Sequence, residues 1–300
     1  MANPKSMVKT VRAVVYGAQG AGKSWFAATF AAACNHGITN GPLLVSLFDP
    51  RGKDSSYFDP IIYGASHKSM ELVSGELDLG LTTHGVKLAI PYTEVMIGGK
   101  LVCRVEYMHE EELVFGDSDV GAKLDQVITG WTVLPKFRKR LNRLFRDERD
   151  SWGTYCFDSA TSAELMFRMY HKYVQNPGAT GIGRQQWWSG STDELEMNLA
   201  IRLASWPHNV IVICHTDKDK VAGESGSVVS RYTPRLPGRL AGDISTYYAE
   251  LYHACADTDA DGETSYYLQT RPNALFSAFS NSLHAPNPCE NDYAALWGGE

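Results

Sequence analysis

The chain has 300 residues, 44% of them hydrophobic and 21% charged, with a formal net charge of −6 at pH 7. That length and balance fit one elaborated α/β domain with a sizeable core and exclude a disordered or fibrous chain. The acidic total also excludes a protein that grips nucleic acid through its overall charge, so any such contact has to come from local basic clusters.

Val11–Tyr16 (VRAVVY) is a β-branched run bounded by glycine and predicts a buried strand. The opening MANPKSMVKT leads its apolar residues straight into that strand, which is unlike a secretory leader with a separate apolar segment and cleavage site. No apolar run reaches the roughly 18 residues of a membrane helix, so no membrane contact and a cytoplasmic location are expected. The six cysteines, Cys34, Cys103, Cys156, Cys214, Cys255 and Cys289, contain no CxxC pair and are expected to be reduced thiols.

Gly17-Ala18-Gln19-Gly20-Ala21-Gly22-Lys23-Ser24 follows the strand and fits GxxxxGK[ST] without a mismatch. Glycines let the backbone curl so that successive N–H groups face phosphate oxygens, and the next helix turns its positive end to the same anion. Lys23 is suited to the β- and γ-phosphates and the Ser24 hydroxyl to Mg²⁺, with Trp25 completing the nucleotide-binding stretch. The alanine-rich Lys23–Asn35 predicts the helix, with Gly37 as its stop. Leu43–Phe48 (LLVSLF) predicts a second buried strand, ending at Asp49-Pro50, and completes a βαβ unit of a parallel sheet.

From Arg51 to Gly130 the periodicity weakens. Val86–Tyr92 and Val95–Tyr107 alternate around Gly98-Gly99 and predict an inserted β-hairpin, followed by an acidic solvated loop through His109–Glu112, Asp117 and Asp119. Trp131–Arg149 predicts an amphipathic helix whose basic run, Lys136, Arg138, Lys139, Arg140, Arg143 and Arg146, reads as a solvated face. Thr154–Phe157 is a third strand ending at Asp158, and a helix is expected from Ser162 to about Val174. A glycine-rich break, Asn176–Gly190, precedes a helix over Asp193–Ser205. Val210–Cys214 (VIVIC) is a fourth buried strand, ending at His215. After a polar loop, Leu240–Tyr248 is expected to be helical, and Ala249–Ala256 and Ser265–Thr270 to be strands around an acidic turn. Without repeats or a long linker, one domain over 1–300 is expected, with an insertion at about 51–130.

A phosphate loop needs a carboxylate for the metal's water shell, normally at the end of another strand, and Asp158 supplies it. With Ser24 it forms the expected metal pair. Asp49 is the candidate for orienting the attacking water, its plainer role being a turn before Pro50. His215 is placed to sense the γ-phosphate. All of them would meet at the carboxyl edge of the sheet, where open α/β folds bind ligands.

This order of parts resembles the RecA-like P-loop ATPases, and within them the short phage-encoded AAA-type or nucleotide-binding group, some of which act in single-strand annealing or recombination. VRAVVYGAQGAGKS is similar to that family's first strand and Walker A, TYCFDSATS to its Walker B strand, and VIVICHTDKDK to the strand ending in its switch residue. PLLVSLFDP resembles the strand carrying the catalytic acid, here Asp49, and YYLQTRPN the strand that presents basic residues to a neighbour's ATP.

The resemblance implies a RecA-like α/β fold with a mostly parallel central sheet flanked by helices, ATP and Mg²⁺ as cofactors, and a homo-oligomer with ATP at the subunit interface. By the same analogy Arg271 acts as an arginine finger in trans, and a phage-encoded chain would work in the host cytoplasm. Single-stranded DNA is then the expected partner, held by two loops. One carries Arg184, Trp187 and Trp188, and the other Lys218, Lys220, Arg231, Arg235 and Arg239, a mixture suited to stacking and phosphate contact. The rival functions are a helicase loader or assembly factor acting through protein partners, and a small-molecule kinase.

Overall fold

The computed structural model describes residues 10–35, 40–49, 57–59, 61, 70–83, 85–109, 119–177, 183–222, 228–273, 275–281 and 285–297. In chain order, β1 (Arg12–Gly17) runs through the phosphate loop into α1 (Lys23–Asn35) and β2 (Leu43–Leu47). A meander of β3 (Met70–Thr83), β4 (Val86–Ile97) and β5 (Lys100–Tyr107) follows, then α2 (Asp119–Asp147), β6 (Thr154–Asp158), α3 (Ala160–Tyr170) and α4 (Gly183–Glu196). The last third is β7 (Asn209–Ala222), β8 (Val228–Pro234), α5 (Leu240–Tyr247), β9 (Glu250–Thr258), β10 (Thr264–Gln269), β11 (Phe279–Ser280), β12 (Cys289–Glu290) and α6 (Tyr293–Trp297). Short π-helical turns, His171–Gln175 and Met197–Arg202, extend α3 and α4.

The strands form one sheet in the order β12-β10-β9-β1-β7-β6-β2-β5-β4-β3. Its centre, from β9 to β5, is parallel throughout. β10 and β12 continue it antiparallel on one side, β4 and β3 on the other. Because helices cover both faces, β2 and β6 are buried at every position, which is why they read as unbroken apolar runs. Alternate residues of β1 serve opposite cores. Val14 and Tyr16 pack with Phe48, Phe137, Phe157 and Phe167 under α2 and α3, while Ala13 and Val15 pack with Phe26 and Phe30 of α1.

The hairpin expected around Gly98-Gly99 is present as β4–β5. It is not an appendage, however: β5 pairs in parallel with β2, so the inserted region widens the main sheet, and β3 adds a further strand. β3 is mostly exposed and carries acidic residues and glycines, so it lacks the apolar run by which the core strands are recognised.

Four other expectations change. The long helix begins at Asp119, so Asp119 is helical and not part of a solvated loop, and Pro135 is accommodated inside the helix. Its basic run is a solvated face only in part, with Lys139 and Arg146 exposed. Lys136 and Arg140 are buried, with Arg140 paired to Glu106 and Glu148 and Arg138 to Glu194. The glycine-rich break is shorter than expected, since α4 already contains Arg184, Trp187, Trp188 and Gly190. Gly190 is a contact glycine here, because a Cβ would lie 2.5 Å from Nδ1 of His171. The polar stretch after His215 is likewise not a loop: β7 continues to Ala222 and returns as β8 in an antiparallel hairpin.

No disulfide joins the six cysteines, and four of them, Cys103, Cys156, Cys214 and Cys289, are buried. Among the described residues no helix is long and apolar enough to cross a membrane. Gly37, Pro50, Glu110–Glu112 and Asp117 lie outside the described residues.

Candidate functional site at the phosphate loop

Strand register explains how distant residues meet. Gly17 at the end of β1 pairs with His215 of β7, Asp158 pairs with Ile213 of β7, and Leu47 of β2 pairs with Asp158. Asp49 therefore sits two residues beyond the Leu47–Asp158 pair, and His215 two beyond Ile213, all at the carboxyl edge of the parallel sheet. The sequence-predicted Lys23, Asp49, Asp158 and His215 are thus brought to one edge.

In the loop itself, Gly20 and Gly22 adopt φ of 79° and 77°, the left-handed turns that curl the chain into a cradle. The buried Lys23 ammonium donates to the carbonyls of Gly17 at 3.0 Å and Ala18 at 2.6 Å. Burial lowers its pKa, opposed by the nearby charges of Asp158 and Asp49 and by Cys214. Ser24 Oγ donates to Asp158 Oδ2 at 3.0 Å. Asp158 is only 6% exposed. Burial pushes its carboxyl pKa upward, and hydrogen bonds from Tyr57 and Ser24 and the charge of Lys23 pull it back. Trp25 is half-buried on the first turn of α1.

His215 is held by its backbone, its N–H donating to Thr161 Oγ1 at 3.0 Å. Burial and then the Lys23 charge lower its pKa, which favours the neutral imidazole, with Asp49 and Asp158 acting in the opposite sense. Among the described residues no cluster of three or more His, Cys, Asp or Glu side chains could cage a metal by itself. Mg²⁺ needs no such cage, since one or two protein oxygens hold it with phosphate and water completing the octahedron. A hydroxyl and a carboxylate 3.0 Å apart, at the mouth of an amide-lined cradle, are such a pair.

Beside the loop lies a cavity of about 390 Å³ lined by Gln19, Gly20, Thr216, His253, Asp257 and Tyr267 among others. Sequence reasoning missed this wall. His253 is buried against the rings of Phe276 at 4.1 Å and Tyr16 at 4.8 Å. It also missed Tyr57, which donates to Asp158 Oδ2, and Asn291, whose amide donates to the Gly22 carbonyl at 2.8 Å. These residues lie far from the motif in sequence and have no fixed spacing to it; for Tyr57 alone, the TYCFD strand end located the partner, Asp158.

The remaining predicted residues occupy four places. Arg271 is exposed just beyond β10, its backbone N–H donating to Asn287 Oδ1 at 3.3 Å. Trp188 is half-exposed on α4 with the Arg168 guanidinium 3.4 Å from its ring centre, and Trp187 has the Lys172 ammonium at 5.6 Å. Arg184 is on the first turn of that helix. Lys218, Lys220 and Arg231 are on the β7–β8 hairpin, with Lys218 5.1 Å from the Tyr232 ring centre. Arg235 and Arg239 are exposed on the segment that follows. That segment touches both helices: Thr161 of α3 donates to the Arg235 carbonyl at 3.0 Å, and Arg239 pairs with Glu196 of α4 at 3.5 Å.

No protein-family model matches the chain, and no curated protein matches it. Among solved structures, the flagellar accessory protein FlaH from Methanocaldococcus jannaschii aligns over 87% of this chain and 76% of its own, at 8% identity and a TM-score of 0.35. The chain's own topology is a mostly parallel α/β sheet flanked by helices, with β7 between the strand that precedes the glycine-rich loop and the Asp158 strand.

Proposed function

We propose that the chain binds and hydrolyses Mg-ATP as a RecA-like ATPase, and that its nucleotide state controls a hold on single-stranded DNA in phage-type recombination or annealing. The observation that carries the first part is the Ser24–Asp158 hydrogen bond at the mouth of the loop containing Lys23. Two chain-distant groups that Mg-ATP would need together already share one geometry.

Ser24 and Asp158 would hold Mg²⁺, which would supply neutralisation of the phosphate charge. The loop amides hold the phosphates, and Lys23 leaves its loop carbonyls for the β- and γ-oxygens. Asp49 accepts a hydrogen bond from the attacking water, and neutral His215 reports the presence of the γ-phosphate. Arg271, exposed on the far side of β9, is available to a neighbouring subunit's nucleotide.

For the second part, the support is mechanical. β7 carries His215 at the phosphate edge and runs on unbroken into the hairpin bearing Lys218, Lys220 and Arg231, so a shift at the phosphate moves the basic hairpin with it. The test is steady-state ATP hydrolysis with and without single-stranded DNA, with Lys23→Ala as the blank. Stimulation by DNA supports the whole reading. Turnover that DNA leaves unchanged removes the DNA part and favours an assembly factor, for which the exposed Leu165, Met197 and Ile201 on the outer helices offer an apolar contact. Hydrolysis undiminished in Lys23→Ala removes the site assignment itself.

A further inference from the structure

Asp158 Oδ2 accepts two hydrogen bonds, and only one comes from the phosphate-loop machinery. Ser24 supplies the first at 3.0 Å. The second comes from the hydroxyl of Tyr57, which lies between β2 and β3 in the inserted region. Tyr57 is 1% exposed and its neighbours Phe58 and Ile61 are buried with it. All three join the apolar cluster that contains Val95 and Val102 of the meander and Cys156 of β6, and the hydroxyl also lies 3.7 Å from Cys156 Sγ.

A phenol buried this deeply is costly unless its hydroxyl is satisfied, and here a carboxylate satisfies it. A carboxylate held through one oxygen by two donors on different elements has its rotamer set before any ion arrives. Held by Ser24 alone, it would have to be ordered at the moment of binding, and Ser24 is itself a group the ion recruits.

Resting on the Mg-ATP reading above, we propose that Tyr57 is a positioning residue for the metal site: it fixes Asp158 so that the other carboxylate oxygen faces the ion's water shell. The inserted region is then a structural part of the nucleotide site and not an independent module. Its sheet widens the fold through β5, and its Tyr57 reaches back to the carboxylate on β6.

The test measures binding and not turnover. Fluorescent ADP is titrated into the full chain with and without Mg²⁺, for the parent, Tyr57→Phe, Phe58→Leu and Asp158→Asn. Tyr57→Phe keeps the ring and removes the hydroxyl. It is expected to leave metal-free ADP affinity within about twofold of the parent and to reduce the Mg²⁺-dependent gain about tenfold, the scale of one hydrogen bond to a charged group. Added to Asp158→Asn, it should have no further effect on that gain. Phe58→Leu, which perturbs the same packing without touching Asp158, should keep the gain.

An unchanged gain in Tyr57→Phe overturns the inference, as does an equal loss with and without metal, or an equal loss in Phe58→Leu. ADP that fails to bind the parent protein at all overturns the Mg-ATP reading and this inference together, which separates the two failures.

Discussion

Arg140→Ala is expected to cost about 3–5 kcal/mol of folding stability, because it strands a carboxylate inside the protein. Arg140, on α2, is 2% exposed; its Nε lies 2.8 and 3.0 Å from the two oxygens of Glu106 and its Nη2 2.9 Å from Glu148. Glu106 on β5 is fully buried. After the substitution the nearest cation recorded for it is Arg104, at 3.9 Å, beyond hydrogen-bond reach. At an effective dielectric of about 20, a charge pair near 4 Å is worth about 4 kcal/mol, so Arg104 retains part of the interaction and the loss stays within the range given. The assay is urea denaturation at neutral pH, read by far-UV circular dichroism and tryptophan fluorescence, with the midpoint shifting at unchanged slope. Arg140→Met combined with Glu106→Leu should recover most of the loss, since an apolar pair leaves no buried charge behind. A single variant losing less than about 1 kcal/mol, or a double variant as unstable as the single, would refute the reasoning.

Gly22→Ala should weaken ADP binding roughly tenfold or more, from left-handed strain at φ 77° and a Cβ 2.5 Å from Asn291 Nδ2; equilibrium titration checks it, and parent-like affinity would count against the cradle. His253 is held neutral, its pKa lowered to about 4 by burial and then by Lys23. An unfolded histidine near 6.5 takes up protons first, so this contribution is complete above about pH 6.5 and is lost as pH falls toward 4, about 3 kcal/mol in all. Denaturation midpoints across that window should show the decline, and His253→Phe should flatten it. Arg271→Ala should lower ATP turnover only at concentrations where subunits assemble, and an equal loss in dilute monomer would exclude action in trans.

The Gly17–Ser24 motif was legible because phosphate-loop chemistry asks for fixed residue types at fixed short spacing, and eight consecutive positions carry them. β1, β2 and β6 were legible for a related reason: burial on both faces leaves an unbroken apolar run. Where burial was achieved by pairing charges, the reading failed. Arg140 looked solvated because nothing local shows that Glu106, on a strand of the inserted region, waits for it across the core. Gly190 looked like a break because the sequence does not reveal that His171 crosses the helix at that point. The β7–β8 hairpin was hidden because Thr216–Lys220 and Ser230–Thr233 are too polar to show the apolar pattern by which strands are recognised.

The sequence by itself therefore determined the α/β class, the glycine-rich loop with Lys23 and Ser24 between a strand and a helix, and the placing of Asp49 and Asp158 after apolar strands, all of which depend on local patterns; His215, expected at a strand end, lies within β7. Only the tertiary structure decided which residues surround them. Tyr57 on Asp158, Asn291 on Gly22 and Tyr16 on His253 are contacts across 101, 269 and 237 residues, and they arise from strand order and helix packing, which no spacing along the chain encodes.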